Sequence, residues 1–258
     1  MKATSIAECL GPLVADPRRA GILLDFDGTL APIVQRPEDS APVAGAGATL
    51  SSLAGRFGLV GVVSGRPLAD LQRMLPVKGV HLEGLYGLPA GSSTPVELRE
   101  RLDAVAREVP GAWVEPKGIT VAVHYREAAD PVGARAILAP VLVALAGETG
   151  HDLLEGKMVL ELAPAGDSRK GGAVERLIRE HDLRAALYAG DDLPDIEAFA
   201  ALDKLAEEGL HTVKIAVGGS ETPEALRADA DLIVGSPVEL VRTLSGLAEG
   251  SRGNTIEG

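Results

Sequence analysis

The sequence predicts an α/β protein: a doubly wound parallel sheet with a small α+β domain inserted in it. Short apolar runs recur along the 258 residues, and several end in an acidic or hydroxyl residue followed by a helical segment. Strands of a parallel sheet are buried on both faces, so their sequences are continuously apolar, as these runs are. From residue 89 to 163 the pattern changes to helix, two strands, helix, two strands, which predicts a four-stranded sheet with helices on one face.

Composition restricts the class of protein. The charged fraction is 24% and apolar residues are abundant, as in a globular protein with a sizeable core. The net charge of -12 argues against a nucleic-acid surface, although a metal and a few cations can still create a site for an anionic substrate. Cys9 is the single cysteine, so we expect a reducing, cytoplasmic location. We expect neither a signal peptide nor a membrane span.

The first predicted strand, residues 22–24, leads into two carboxylates, Asp25 and Asp27. Ligands of such sheets bind beyond the carboxyl ends of the strands, and two carboxylates there need a cation or a proton donor. Gly28 permits a sharp turn, and Thr29 offers a hydroxyl and an N–H group to an anion. Taken alone, the motif is equally well an ordinary Asp-Gly turn after a strand.

A second predicted strand, residues 58–63, ends at Ser64 and Gly65, ahead of a helix over residues 68–74. A hydroxyl between a strand end and a helix start is well placed to bind a phosphate oxygen. The alternative is a serine that only caps the helix. Arg66 either adds a cation to the site or faces solvent.

Two further groups follow the inserted segment. Lys170 lies in a first helical turn, where the helix dipole does not favour a cation, so a paired role is indicated over an exposed one. Residues 185–189 form a strand that ends in Asp191, Asp192 and Asp195. These carboxylates repel one another unless a cation neutralises them, and oxygen ligands suit Mg²⁺. Alternatively, Asp195 caps the next helix.

The order Asp-x-Asp-Gly-Thr, Ser, Lys, Asp-Asp resembles the phosphatases of the haloacid-dehalogenase superfamily. The resemblance implies that Asp25 is the nucleophile, forming an aspartyl-phosphate, and that Asp27 is the general acid and base. Mg²⁺ would be held by Asp25, the backbone carbonyl of Asp27, and Asp191. Asp192 and Asp195 would support the metal through its waters. The expected phosphate-binding residues are Thr29, Ser64, Gly65 and Lys170.

Over about residues 20 to 245, the motifs LLDFDGTLAPIV, VVSGRP, VEPKGITVAVHYR, GKMVLELAP, RKGGAV and GDDLPDIEAF resemble trehalose-6-phosphate phosphatases. The resemblance implies a catalytic core of residues 1–88 and 164–247, a cap of residues 89–163, and a tail, residues 248–258, that we predict to be disordered. In that family a Glu-x-Lys, an Arg and a Lys-x-x-x-Glu of the cap bind the glucose units. The matching residues are Glu115, Lys117, Arg126, Lys157 and Glu161.

Several alternatives remain open at this stage. The cap residues could simply be charges on a solvated sheet face. The segments HLEGLYGL (residues 81–88) and Asp-Ser-Arg (residues 167–169) depart from the commoner family pattern, which leaves a pseudo-disaccharide phosphate, glucosylglycerol phosphate or sucrose phosphate as alternative substrates. A phosphosugar mutase, which usually has a smaller helical cap, and a silent sensor, which would lack Asp25, Asp27 or Lys170, are less consistent with the sequence. The length leaves no room for a synthase domain, so a synthase would be a separate partner.

Overall fold

The computed structural model describes residues 6–87, 94–165, 170–218 and 222–249. These residues belong to two compact units. The first, named the catalytic unit after its predicted role, contains residues 6–87 together with the described residues from 170 to 249. The inserted domain contains residues 94–165. Helices and strands are numbered along the whole chain.

A parallel sheet forms the centre of the catalytic unit. Its strands are β1 (Ala20–Leu24), β2 (Leu59–Val63), β3 (His81–Glu83), β8 (Ala185–Gly190), β9 (His211–Val217) and β10 (Leu232–Val234). Among the described residues their order is β3, β2, β1, β8, β9, β10, and every neighbouring pair is parallel. The chain order reverses between β1 and β8, which is the place where doubly wound sheets bind ligands.

Helices cover both faces of this sheet. One layer contains α1 (Ile6–Ala15), α2 (Ala46–Arg56), α3 (Leu68–Met74) and α9 (Pro237–Glu249), and the other contains α6 (Lys170–Glu180), α7 (Leu193–Glu207) and α8 (Glu224–Asp229). Side chains alternate along each strand, so Ile22 and Leu24 pack on the first layer and Leu23 packs on the second. The continuous apolar runs of the sequence therefore arise because the strands are buried on both faces.

The inserted domain has one antiparallel sheet and two helices. Its elements are α4 (Val96–Arg107), β4 (Trp113–Pro116), β5 (Val121–His124), α5 (Pro131–Thr149), β6 (His151–Gly156) and β7 (Val159–Pro164). The strand order is β4, β5, β7, β6. Both helices pack on the sheet face that carries Val121, Val123, Leu160 and Leu162. The predicted fold class, a parallel α/β sheet with an inserted αββαββ unit, is confirmed.

The structure fixes three local boundaries. Strand β5 begins only at Val121, because the Lys117 N–H donates to the Thr120 carbonyl and closes a turn before it. The hairpin of β6 and β7 turns at residues 157–158, since Gly156 pairs with Val159. Helix α9 reaches Glu249, so the first two residues of the predicted tail are helical, and the remainder lies outside the described residues.

Helix α5 bears on the expectation that no segment could span a membrane. Among the described residues it is the one helix that is long and apolar enough to do so. It buries Leu138, Leu142 and Leu145 in the core of the inserted domain. A core helix passes the same test of length and composition, so α5 is weak support for a membrane span.

Candidate active site

The site begins where β1 ends. The Asp25 N–H donates to the carbonyl of Ala189 at 2.9 Å, which continues the pairing of β1 with β8 and holds Asp25 beside the end of that strand. Gly28 follows in the left-handed region, with φ 83°. A side chain at residue 28 would overlap the carboxylate of Asp191, so glycine is required for both reasons. Asp25 and Asp191 are consequently held close together, and both are buried.

Lys170, the first residue of α6, connects the predicted nucleophile Asp25 with Asp195. Its Nζ lies 2.7 Å from Asp25 Oδ1 and 2.6 Å from Asp195 Oδ1, and all three side chains are buried. Burial alone would lower the pKa of Lys170, but Asp195 and Asp25 outweigh it and hold this pKa well above its usual value. The paired role predicted for Lys170 is therefore consistent with its position.

One ammonium group faces three carboxylates in this site. Asp25, Asp191 and Asp195 each offer an oxygen within 4.8 Å of the other two. Desolvation raises the pKa of Asp25 well above its usual value despite the opposing effect of Lys170, and the nearby Asp195 and Asp191 raise it further. The cluster thus has an excess of negative charge, which a divalent cation would neutralise.

Asp195 has a different environment from the other two. Its Oδ1 accepts hydrogen bonds from Lys170 Nζ and from the Tyr188 hydroxyl at 2.7 Å, and its Oδ2 accepts from the N–H groups of Asp191 and Asp192 at 2.8 and 2.9 Å. A carboxylate has about four acceptor positions, and these four donors fill them. Asp195 therefore orients Lys170 and the start of α7, as the capping alternative predicted, and its support of a metal through bound waters stays a prediction.

Thr29 and Asp192 have contacts or positions within the protein, and their predicted roles toward an anion and a metal stay predictions. The Thr29 hydroxyl donates to Asp191 Oδ1 at 3.3 Å, and the Thr29 N–H donates weakly to the Phe26 carbonyl at 3.4 Å. Asp192 is the N-cap residue of α7.

Asp27, the predicted acid and base, is paired with Arg66. The guanidinium donates to both carboxylate oxygens, from Nε at 2.6 Å and from Nη2 at 2.7 Å. Ser40 Oγ adds a third donor to Asp27 at 3.0 Å, and Arg66 Nη1 is fixed by the carbonyl of Pro37 at 2.8 Å. Of the two interpretations of Arg66, the cation in the site is correct.

The turn after β2 carries Ser64 and Gly65. Ser64 is buried; its N–H donates to the Glu83 carbonyl at 3.0 Å, and its Oγ accepts from the Arg66 N–H at 3.2 Å. Because β1 and β2 are parallel neighbours, this turn lies at the same edge of the sheet as Asp25. The predicted phosphate-binding residues and the predicted nucleophile thus share one edge of the catalytic unit.

Three predicted sugar-binding residues meet on the inserted domain. Lys117 Nζ lies 2.9 Å from Glu161 Oε2 and 3.8 Å from Glu115 Oε2. Glu161 is only 4% exposed, and its Oε1 has no hydrogen-bond partner among the described residues. A buried carboxylate oxygen without a donor is costly, so this oxygen needs a donor from outside the described residues, such as a water or a ligand hydroxyl.

The other two predicted residues lie at the hairpin. Arg126 Nη2 donates to the Lys157 carbonyl at 2.6 Å, so the arginine contacts the turn between β6 and β7. The structure thus places Arg126 and Lys157 together by a contact to the backbone.

Two aromatic pairs of the molecule are absent from the predictions made from its sequence. Trp113 and His124 stack at 4.1 Å between ring centroids, and His124 Nε2 lies 2.8 Å from Glu115 Oε2. Side chains alternate between the two faces of β5. This alternation was the sequence signal that could have shown which face carries His124. Tyr188, between apolar strand residues, gave no sign that its hydroxyl contacts Asp195. Its ring meets that of Phe199 edge-on.

Comparisons with known proteins find relatives over most of this chain. A family model described as trehalose-phosphatase matches residues 23–231. A trehalose-phosphate phosphatase of Mycobacterium avium is 38% identical over 210 residues, which cover 72% of this chain and 52% of the relative. A Mycobacterium tuberculosis protein named as an uncharacterized glycosyl hydrolase is 39% identical over 207 residues, 72% of this chain and 15% of the relative. The chain thus spans about half of the length of the Mycobacterium avium relative and a much smaller part of the Mycobacterium tuberculosis protein.

Two solved structures share the fold of this chain. A trehalose-6-phosphate phosphatase related protein superposes with a TM-score of 0.69 at 27% identity, covering 89% of this chain and 97% of that one. The C-terminal domain of the Candida albicans trehalose-6-phosphate phosphatase gives a TM-score of 0.81 at 23% identity, covering 96% and 99%. The second likeness shows the fold. The family match over most of the chain shows that this protein belongs to the trehalose-phosphatase family.

Proposed function

We propose that this chain is a Mg²⁺-dependent phosphomonoester hydrolase that converts trehalose 6-phosphate to trehalose and phosphate. The observation that carries the proposal is the contact of one buried lysine, Lys170, with the carboxylates of Asp25 and Asp195, beside Asp191. A buried cluster of this charge suits a reaction in which a carboxylate attacks a phosphate dianion, because a cation must offset their repulsion.

Asp25 is the proposed nucleophile. Its oxygen forms a bond to phosphorus while the bond from phosphorus to the sugar oxygen breaks, which gives an aspartyl-phosphate. Lys170 offsets the charge of Asp25 and, with Ser64 and Gly65, holds the phosphoryl oxygens. Thr29 is assigned a supporting role, since its hydroxyl orients Asp191.

Asp27 is the proposed acid and base. It gives a proton to the departing sugar oxygen and then removes one from the water that attacks phosphorus, so that phosphate leaves and the Asp25 carboxylate is regenerated. Arg66 and Ser40 fix both oxygens of Asp27 in the present arrangement. A productive step requires one of these hydrogen bonds to exchange for a bond to substrate.

A Mg²⁺ ion fits the donors that are present. Asp25, the backbone carbonyl of Asp27, and Asp191 would hold it, with Asp192 outside this set, and their hard oxygen atoms suit this ion. When bound, the ion supplies charge neutralisation at the phosphoryl group. Asp195 is excluded from our proposed metal set because its four acceptor positions serve other donors.

The inserted domain is the proposed cap, as predicted for residues 89–163. Glu115, Lys117 and Glu161 offer donors and acceptors on one sheet face, which suits sugar hydroxyls. Arg126 and Lys157 would contact the same substrate. A separate synthase is the proposed source of the sugar phosphate, and the cytoplasmic location stays a prediction.

Phosphate release from a panel of substrates tests the proposal. The panel contains trehalose 6-phosphate, sucrose 6-phosphate, glucose 6-phosphate, glucosylglycerol phosphate and validoxylamine phosphate, each with Mg²⁺ and with EDTA. We expect kcat/KM for trehalose 6-phosphate to exceed the others by about tenfold or more, roughly 1.4 kcal/mol of transition-state binding. Metal-dependent activity focused on another sugar would keep the hydrolase and overturn the substrate; no activity would refute both.

A further inference from the structure

A strained turn directly follows β3. Leu85, Tyr86 and Gly87 are consecutive residues in the left-handed region, with φ values of 52°, 55° and 83°. Residues other than glycine seldom adopt this conformation, and two in a row persist only where the surrounding structure imposes them. Such conformations concentrate at functional sites, so the side chain that this turn presents is of interest.

The turn is bonded to the proposed phosphate-binding residues. The Leu85 N–H donates to the Arg66 carbonyl at 2.9 Å, and the Tyr86 N–H donates to the Ser64 carbonyl at 3.0 Å. The Tyr86 hydroxyl lies against Gly65, where any side chain at residue 65 would overlap it. Glycine at residue 65 therefore permits the phenol to approach the backbone that we assign to the phosphate.

The Tyr86 ring also lies next to the proposed catalytic lysine. Lys170 Nζ is 5.5 Å from the ring centroid, a cation–π distance. The side chain is half-buried. Tyr86 thus lies beside both Gly65 and Lys170. The proposed function places these two residues in contact with the same phosphoryl group.

We propose that Tyr86 is a further catalytic residue, whose hydroxyl donates a hydrogen bond to a non-bridging phosphoryl oxygen. This inference rests on the proposed function, because that function puts the phosphoryl group beside Gly65 and Lys170. A phenol donates at this position without adding charge to a site that already holds Lys170. A donor fixed by a strained backbone needs little reorganisation as the phosphoryl group is transferred.

Tyr86→Phe removes the hydroxyl and keeps the ring beside Lys170. Its kinetics would be measured with trehalose 6-phosphate and with p-nitrophenyl phosphate, and its affinity for inorganic phosphate by calorimetry with Mg²⁺. We expect about a tenfold fall in kcat/KM, equal within twofold for both substrates, and about tenfold weaker phosphate binding. The control is Tyr125→Phe, a buried tyrosine of the inserted domain, which should leave all three values unchanged.

Two results with Tyr86→Phe would overturn the proposal. Wild-type phosphate affinity and turnover in Tyr86→Phe would show that the hydroxyl is not used. A loss confined to trehalose 6-phosphate would show a contact to the sugar instead. If the wild-type protein hydrolyses p-nitrophenyl phosphate but not trehalose 6-phosphate, the substrate assignment fails and the Tyr86 test still stands. If it neither binds phosphate nor hydrolyses either ester, both proposals fail.

A second measurement does not depend on how Tyr86→Phe folds. The wild-type sequence labelled with 3-fluorotyrosine carries three tyrosines, Tyr86, Tyr125 and Tyr188. Tyr125→Phe and Tyr188→Phe identify their own ¹⁹F resonances and leave that of Tyr86 by elimination. Addition of inorganic phosphate with Mg²⁺ should shift the Tyr86 resonance and leave that of Tyr125 in place. A Tyr86 resonance that does not move at saturating phosphate would refute the contact.

Discussion

The two carboxylate clusters of this molecule differ in how completely the protein satisfies them. In the catalytic unit, Asp195 accepts four hydrogen bonds and fixes Lys170 against Asp25. In the inserted domain, Glu161 is almost as buried, yet its Oε1 has no donor among the described residues. An unsatisfied buried group of this kind costs about 1–3 kcal/mol.

We infer from this difference that the catalytic unit carries out the reaction and that the inserted domain recognises the substrate. The protein's own contacts fix the groups that we propose to react before any ligand binds, which is what electrostatic catalysis requires. The sheet face of the inserted domain leaves an acceptor unfilled, which a ligand hydroxyl can fill. The catalytic unit should therefore serve any small phosphomonoester, whereas the inserted domain should decide which one is preferred.

The largest effect should come from Asp25→Asn. The amide keeps the shape of the carboxylate but is a poor nucleophile, so turnover should fall by about 10⁴-fold or more. Melting should be unchanged or slightly higher, since a buried charge is removed from a cluster with excess negative charge. The matched control is Asp70→Asn, on an exposed carboxylate of α3. Turnover near wild type with a normal melting curve would refute the nucleophile.

Substitution of Lys170 should lower the free energy of unfolding more than substitution of Lys117. Lys170→Met leaves buried carboxylates without their ammonium and should cost about 3–5 kcal/mol in the free energy of unfolding. Lys117→Met, in the more exposed cluster, should cost about 1–3 kcal/mol. Urea unfolding in EDTA measures both, because a bound cation would mask the loss.

A double variant checks the cause of the larger loss. Asp195→Asn in the Lys170→Met background removes one of the carboxylates that the lysine neutralises. Part of the lost stability should return, while turnover should stay low, since Asp25 still lacks its ammonium partner. Equal losses for the two single variants would contradict the contrast between the clusters.

The sequence was sufficient for the sheet and for the groups at its edge. Apolar runs that end in Asp25, Ser64 and Asp191 are visible without coordinates, since each strand end also starts a turn. The paired role of Lys170 followed from its unfavourable position in a helix dipole. These inferences need only local sequence and the rule that parallel strands end at one edge.

Contacts between distant segments could not be predicted in this way. Arg66 lies 39 residues from Asp27, and nothing in the spacing selects that carboxylate over another. The spacing also does not show that the carboxylate of Asp195 accepts hydrogen bonds from Tyr188, Lys170 and two N–H groups. The left-handed conformation of Tyr86 arises from bonds to the turn after β2, which only the fold brings near.

The smallest and most selective effect should come from Glu161→Gln. The variant keeps the size of the side chain but replaces a carboxylate oxygen that we assign to a sugar hydroxyl. We expect kcat/KM for trehalose 6-phosphate to fall about tenfold more than that for p-nitrophenyl phosphate, about 1.4 kcal/mol. The ratio of the two values is the measurement, because any general loss of folded enzyme cancels in it.

The control for this ratio is Glu155→Gln. Glu155 lies on β6 of the same hairpin, but its exposed carboxylate is bound by Arg135. Its substitution should leave the ratio unchanged, because the charge it removes is already satisfied by solvent and Arg135. Equal losses on both substrates in Glu161→Gln would remove the sugar-binding role of the inserted domain. Such a result would leave the reacting groups of the catalytic unit unaffected, since Lys170 and its partners belong to the other cluster.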